Sequence, residues 1–349
     1  MNISIALDAM GGDAGPDVIV PAALGYLKKH KSVRLLLVGL PDKLQEALER
    51  HGGTVSDRLE IVPAAQVVAM DEEPKAALRN KKQSSMRIAI DLVKAKKADA
   101  CVSAGNTGAL MATSRLALKM LRGVERPAIC TFLPSETGYV CVLDLGANVN
   151  CTALNLLQFA IMGSILVSAV KHVESPTVAL LNVGEEAIKG NEVVKEAGEL
   201  LRNSGLNFCG NVEGEGIFFS GYDVVVCDGF VGNVALKVIE GAAQLFAQFL
   251  RKEFERSLWT KLAGLCAIPV LRAFKRRFDP RHYNGATLLG LKGVVVKSHG
   301  SADVFSYTQA IHRAVEEVKG GVLDKIAVRV ENHMRAICNT SFDDSAENA

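Results

Sequence analysis

Short apolar runs alternate with amphipathic stretches along most of this chain. ISIAL (3–7), RLLLV (34–38), LEIV (59–62), ACVS (100–103), TVALLN (177–182), NFCGN (207–211), DVVVC (223–227) and GVVVK (293–297) each have strand length. Gly, Asn, Asp or Ser bounds most of them, which is how strands read. Apolar residues at helical spacing fill the intervals. Pro16 opens a helix carrying Ile19, Ala22, Ala23 and Leu27. Further helices are predicted over 42–51, 88–97, 107–121, 153–173, 193–203, 234–254, 304–319 and 322–337. Alternation of this kind predicts a mostly parallel sheet with helices on both faces. One exception is AICTFL (128–133) and YVCVL (139–143), which flank the turn-rich PSETG and read as a hairpin.

Residues 257–283 break the pattern. Trp259, Leu262, Leu265, Ile268, Val270, Leu271 and Phe274 surround Pro269, and Arg272, Lys275, Arg276, Arg277 and Arg281 follow. The apolar part is too short to span a bilayer of about 30 Å. Four roles fit it: a dip into a membrane interface with the basic residues on anionic lipid, docking of an acidic carrier protein, a dimer face, or a helical hairpin in the core. No low-complexity linker or fixed-period repeat divides the chain. It reads as a single unit over 1–338, with room for two lobes around a cleft, and a polar acidic tail over 339–349.

Composition narrows the picture. The 349 residues are 49% hydrophobic and only 5% aromatic, so aliphatic side chains must fill a large core. A net charge of +2 gives no global field for nucleic acid. No basic segment leads into an apolar leader, and no run reaches the roughly 18 apolar residues of a membrane span. The eight cysteines are scattered without a C-x-x-C pair, the usage of reduced core thiols in a cytoplasmic protein.

Candidate chemistry sits in six turns at or near the ends of the apolar runs. They are ALDAMGGD (6–13), SAGNTGAL (103–110), DLGANVN (144–150), NVGEEAIKG (182–190), CDGFVGN (227–233) and SHGSAD (298–303). Open α/β sheets bind ligands beyond the carboxyl ends of their strands. Glycine admits close backbone approach there, and helix N-termini attract anions. The six turns therefore predict one cleft for an oxyanion, most plausibly phosphate. Gly11 and Gly12 exceed what a helix cap requires, and Asp8 or Asp13 either caps or orients a ligand-binding group. Gly105, Asn106, Thr107 and Gly108 form either an anion nest or an ordinary N-cap. Asp144, Asn148 and Asn150 line the cleft or a subunit contact. Cys151 reads as a buried or capping thiol rather than a nucleophile. Lys189 is either a cation at the cleft edge or a solvated lysine. Asp228, Asn233, Lys297, Ser298 and His299 are polar groups set against apolar strands, with His299 a candidate hydrogen-bond donor.

Other chemistries lack their signals. No turn reads G-x-G-x-x-G; Gly214-Glu215-Gly216 has Phe219 where the third glycine belongs. No P-loop occurs, and no spacing of His, Cys and carboxylates suggests a metal site. The expectation is an enzyme without cofactor or metal.

Taken in order, ALDAMGGD, SAGNTGALMA, DLGAN, NVGEE with KGN, CDGFVGNVALK and GLKGVVVKSHGSAD resemble the bacterial phosphate acyltransferases, also called acyl-acyl-carrier-protein:phosphate transacylases. The resemblance covers about residues 1–337. It implies a homodimeric three-layer α/β/α protein related to phosphotransacetylases and isocitrate-type dehydrogenases, with 257–283 protruding. It implies formation of acyl phosphate from acyl-acyl-carrier protein and inorganic phosphate. A downstream membrane acyltransferase then uses the product to acylate glycerol 3-phosphate in phospholipid synthesis. The expected location is the cytoplasm, with peripheral contact at the inner face of the cell membrane. One departure stands out: after GNVEG the family pattern has Arg-Asp, whereas this chain has Glu215-Gly216.

For that reaction, Gly11–Gly12 and Gly105–Gly108 would hold phosphate with Lys189 or Lys297. Asn233 and His299 would hold the thioester oxygen. Lys82, Ser84 and Ser85, in RNKKQSSM (79–86), either reach the same cleft or form a solvated basic turn. Three alternatives remain at the level of sequence: a short-chain acyl-CoA phosphotransacetylase, a decarboxylating dehydrogenase, and a non-enzymatic regulator that binds membrane or carrier protein.

Overall fold

The computed structural model describes residues 3–332. The acidic tail and the end of the helix expected to reach residue 337 lie outside the described residues. Eleven strands form one sheet: β1 (Ile3–Asp8), β2 (Val33–Gly39), β3 (Leu59–Pro63), β4 (Ala100–Ser103), β5 (Ala128–Ser135), β6 (Gly138–Leu143), β7 (Thr177–Leu181), β8 (Asn207–Val212), β9 (Val224–Val226), β10 (Ala286–Leu289) and β11 (Val294–Lys297). Their order is β3-β2-β1-β4-β11-β10-β5-β6-β9-β7-β8. The expected hairpin is β5–β6, paired antiparallel from Cys130–Leu143 to Ser135–Gly138.

Two antiparallel steps beside β10 and a third at β5–β6 reverse the sheet. β6, β9, β7 and β8 are parallel to one another and run opposite to β1–β4 and β11. Strand β10 was not legible as such. ATLL sits between Gly285 and Gly290, barely ahead of the next apolar run, and reads as a loop. Pairing on both edges, with β11 and β5, makes it a strand. Two short helices, Pro74–Asn80 and Gly216–Phe219, were likewise unanticipated. Glu215 and Gly216, where the chain departs from the family pattern, open the second of these at the β8 edge of the sheet.

Two apolar helices show how packing separates similar compositions. Ala153–Lys171 opens with a Thr152–Asn155 capping box and is buried nearly all round, as a core helix must be. Gly229–Glu255 is 27 residues, about 40 Å at 1.5 Å per residue. Only Gly229 and Gly232 on it are buried. Both helices are long and apolar enough to cross a membrane by length and composition, which corrects the expectation that no run reaches a span. A second helix, Leu258–Phe278, follows after a Ser257–Thr260 capping box and packs back through Gly264 against Phe254. The anomalous segment is thus one arm of an exposed helical hairpin. The core-hairpin alternative is overturned: Trp259 is 82% exposed, Leu262 54% and Leu265 62%. Ile268 and Leu271 are half-buried, and the side chains of residues 274–278, with Arg276 and Arg277, lie outside the described residues.

Candidate active site

Strand register builds the first part of the site. Asp8 pairs with Ser103, and Ser103 with Lys297, so the last residues of β1, β4 and β11 stand in one row. The Ser103 hydroxyl donates to Asp8 Oδ2 at 2.6 Å and accepts the Gly105 N–H at 3.1 Å. The turns after these strands close over the row. Asp13 N–H donates to the Gly300 carbonyl at 2.9 Å. A Cβ on Gly11 would lie 2.7 Å from Gly105 N. Gly12 has φ +85°, and a Cβ there would meet Gly300 O at 2.9 Å. Only glycine permits this backbone approach. Helix Thr107–Leu118 starts at the same place, and the first-turn N–H groups of any helix lack intrahelical acceptors. Asn106 is already engaged at both ends: Oδ1 accepts the Ala109 N–H at 2.8 Å and Nδ2 donates to the Met70 carbonyl at 2.6 Å. Its side chain caps the helix and leaves Thr107 and Gly108, both exposed, to present the turn.

Lys297 lies across this cradle. Its Nζ donates to the Ser298 carbonyl and, at 3.4 Å, to that of Ala104. Burial pushes its pKa down to about 8, against the pull of Asp8 and Asp13, and the charge of Lys237 pushes the same way as burial. Asp8 is fully buried, and burial raises its carboxyl above the usual range. The Ser103 and Ser85 hydroxyls and Lys297 oppose that shift. Among the described residues, Oδ1 of Asp8 has no hydrogen-bond partner. Ser85 is therefore part of the cradle. Its neighbour Ser84 caps helix Ser85–Lys94, accepting the Arg87 N–H at 3.3 Å, and Lys82 is exposed.

The turn after β11 carries His299. Ser298 is fully buried and its hydroxyl accepts from Asn284 Nδ2 at 2.8 Å, so it shapes the turn. The His299 ring is exposed. Its Nδ1 lies 2.9 Å from Ser301 Oγ and accepts the Ser301 N–H at 3.3 Å. An accepting Nδ1 fixes the neutral ring as the Nε2–H tautomer, leaving Nε2 as an outward donor.

A second group of turns gathers around Asp144 at the end of β6. Its buried carboxylate accepts from Ile129 N, Ala147 N, Asn148 N and Asn148 Nδ2 at 2.7–3.0 Å. Burial still raises its pKa. Asn148 O accepts the Gly229 N–H at 2.8 Å, which seats the start of helix Gly229–Glu255 on the turn. Asp228 caps that helix, accepting the Val231 N–H at 2.9 Å. Asn233 is exposed and its side chain stands over Gly146. One turn further on, the charge of Lys237 is near enough to Lys297 to lower its pKa slightly. Cys151 sits beneath, its thiol pushed up to about 11 by burial and by Asp144, so thiolate is scarce at neutral pH.

The six turns do not form one ring. Those after β1, β4 and β11 meet, and those after β6 and β9 meet. The turn after β7 stands on its own loop. There Lys189 is exposed, its carbonyl accepts from Asn182 Nδ2, and the loop is tied to Asn211 of β8. The reversal of the sheet explains this, because β7 runs opposite to β1 and lies seven strands away. Sequence reasoning did not single out Ser103, Lys237 or Asn284. Ser103 was visible only as the first letter of a glycine turn, and Asn284-Gly285 reads as an ordinary turn.

A family model described as fatty acid synthesis protein matches residues 3–325. The chain is 58% identical over 335 residues to the phosphate acyltransferase of Alkalilimnicola ehrlichii, covering 96% of this chain and 98% of that one. It is 58% identical over 327 residues to the phosphate acyltransferase of Methylococcus capsulatus, covering 94% and 96%. Among solved structures, the EutD phosphotransacetylase from Staphylococcus aureus aligns at a TM-score of 0.60 and 16% identity, over 91% of this chain and 94% of that one. A phosphotransacetylase from Streptococcus pyogenes aligns at 0.59 and 18% identity, over 95% and 94%. At these identities the two structures share the fold.

Proposed function

Since this chain belongs to the phosphate acyltransferase family, we propose that it transfers a fatty acyl group from acyl-acyl-carrier protein to inorganic phosphate. A phosphate oxygen attacks the thioester carbonyl. The new C–O bond forms, the C–S bond breaks, and the carrier thiolate leaves. The proton shed by phosphate balances the one taken up by the thiolate. A thiol with a pKa near 8.5 needs no strong general acid to depart. The protein's work is to bring two anionic groups together and hold them in line.

The observation that carries this reading is the row Asp8–Ser103–Lys297 beneath three glycine turns. The backbone N–H groups of Gly12, Thr107 and Gly108 and the Lys297 ammonium suit phosphate, while the Gly11 N–H closes the turn on the Asp8 carbonyl at 3.3 Å. His299 Nε2 and Asn233 suit the thioester oxygen as charge develops on it. Lys189 has no part in this assignment. The exposed hairpin supports the remaining parts of the proposal. These are a homodimer, and work in the cytoplasm at the inner face of the membrane, where a membrane acyltransferase takes the acyl phosphate for glycerol 3-phosphate.

The test is to incubate the protein with acyl-acyl-carrier protein and phosphate and trap acyl phosphate with hydroxylamine. Phosphate-dependent hydroxamate is expected, formed faster from the carrier-protein thioester than from acyl-CoA. Preference for short-chain acyl-CoA would instead make it a phosphotransacetylase, the activity named for its structural neighbours. No hydroxamate from either donor would leave a binding protein.

A further inference from the structure

We propose that Asn284 is a positioning residue for the transfer step, acting through His299. Asn284 lies between the hairpin and β10, 15 residues before His299. Its amide makes three hydrogen bonds, two to the turn that carries His299 and one to the helix that follows it. Oδ1 accepts the His299 N–H at 2.9 Å. Nδ2 donates to Ser298 Oγ at 2.8 Å and to the Ser306 carbonyl at 2.8 Å. The network admits one orientation of the amide, because the His299 N–H needs an acceptor and a flipped amide would set its oxygen against the Ser306 carbonyl. Aspartate would keep the acceptor and lose both donors. Alanine would lose all three bonds.

The bonds define what Asn284 controls. Ser298 and His299 are held from one side, and Ser306, in the first turn of helix Val304–Lys319, from the other. The His299 backbone is thereby fixed to a rigid helix and strand, while its Nδ1 is fixed by Ser301. Only Nε2 is left to face substrate. Arg281 braces the same connection from below. Its guanidinium bonds Asp279 through Nε and Nη2 at 2.6–3.0 Å and Asp303, the cap of that helix, through Nη1 at 2.7 Å. Phosphate is assigned to the turns after β1 and β4, which Asn284 does not touch, and to Lys297, whose backbone is held independently by strand pairing with Ser103 and Ala286. Losing Asn284 should therefore loosen the group that meets the thioester oxygen and spare the one that meets phosphate. A misplacement of about 1 Å costs up to about 100-fold in rate.

This proposal rests on the assignment of His299 above, and a double-mutant cycle separates the two. In Asn284→Ala, kcat is expected to fall about 10- to 100-fold while KM for phosphate stays within about threefold. In a His299→Ala background the same change should cost less than about twofold, because the group it positions is gone. A merely structural role would lower both backgrounds alike, so full additivity overturns the proposal, as would a rise in phosphate KM that accounts for the lost rate. If His299→Ala itself turns over like the wild type, the His299 assignment falls and this proposal with it. Thermal unfolding confirms folding of each variant. Should Asn284→Ala fail to fold, Asn284→Leu, which keeps the volume and loses all three bonds, takes its place in the cycle with the same criteria.

Discussion

Lys297 is where charge and burial compete most directly. Its ammonium serves an incoming anion only while protonated, and burial holds its pKa at about 8 rather than 10.5. The protonated fraction therefore falls as pH rises through about 8. Phosphate is already a dianion in that range and the thioester does not titrate, so the descent belongs to the enzyme. kcat/KM for phosphate is expected to fall above pH 8, approaching tenfold per pH unit. Lys297→Ala should lower the rate about 10- to 1000-fold, the range for a lost anion-stabilising donor, and should abolish that descent. A pH–rate profile of both proteins decides it; an unchanged descent in the variant would assign the titration elsewhere. For stability the sign runs the other way. Between about 8 and 10.5 the unfolded chain binds more protons at this lysine than the folded one, so its contribution to stability rises across that window.

Elements meet this site through two contacts that the sequence did not disclose. Helix Gly229–Glu255 seats on the β6 turn because Gly232 has no side chain: a Cβ there would overlap the Asp144 carbonyl. Gly232→Ala is expected to cost about 3 kcal/mol or more, read as a lowered denaturation midpoint. Gly241→Ala on the same helix, where a Cβ meets nothing, should be neutral or stabilise by up to about 1 kcal/mol. The second contact is Glu317 of helix Val304–Lys319, which accepts from Thr287 of β10 and is fully buried. Burial pushes its carboxyl up to about 7, against Thr287 and Arg313, and Oε2 has no partner. The folded state binds the extra proton between about 4.5 and 7. Stability from this group is complete below about 4.5 and is lost as pH rises through 7, leaving a deficit of up to about 3 kcal/mol. Glu317→Gln should raise the thermal midpoint by several degrees at pH 8 and change it little at pH 5. Periodicity revealed most strands and long helices, because their buried faces repeat every 2 or 3.6 residues. It did not reveal β10, whose four residues lack a period, or Asn284, whose role depends on partners 14 to 22 residues away.

At the scale of the whole molecule, the sequence suggested one ring of six turns, and the sheet's reversal divides them. Reading each apolar run as parallel assigns every turn to the same edge. The antiparallel pairing that reverses the second half is a long-range property that no local motif encodes. The same limit applied to the hairpin, since an apolar face looks alike whether it is packed in a core or left open. Here it is open, and it is large: Phe246, Phe249, Trp259, Leu262 and Leu265 are all exposed on a pair of helices that reaches away from the sheet. Soluble monomers rarely display contiguous apolar surface of this kind. Fully burying one leucine-sized side chain is worth about 1.5–3 kcal/mol, and a carboxylate in its place adds a desolvation cost. Leu262→Glu with Leu265→Glu should therefore weaken co-sedimentation with phosphatidylglycerol vesicles by at least about tenfold. The thermal midpoint should move by no more than about 2 °C, because exposed substitutions contribute within about 0.5 kcal/mol. Vesicle binding at wild-type strength would remove the membrane from the hairpin's role. A concurrent shift from dimer to monomer in equilibrium sedimentation would give these two leucines to the partner subunit instead. In that case the arms must pair before either can approach a bilayer, and the membrane contact would belong to the residues nearer the tip, Leu258 and Trp259, whose own replacement would then abolish vesicle binding without dissociating the pair.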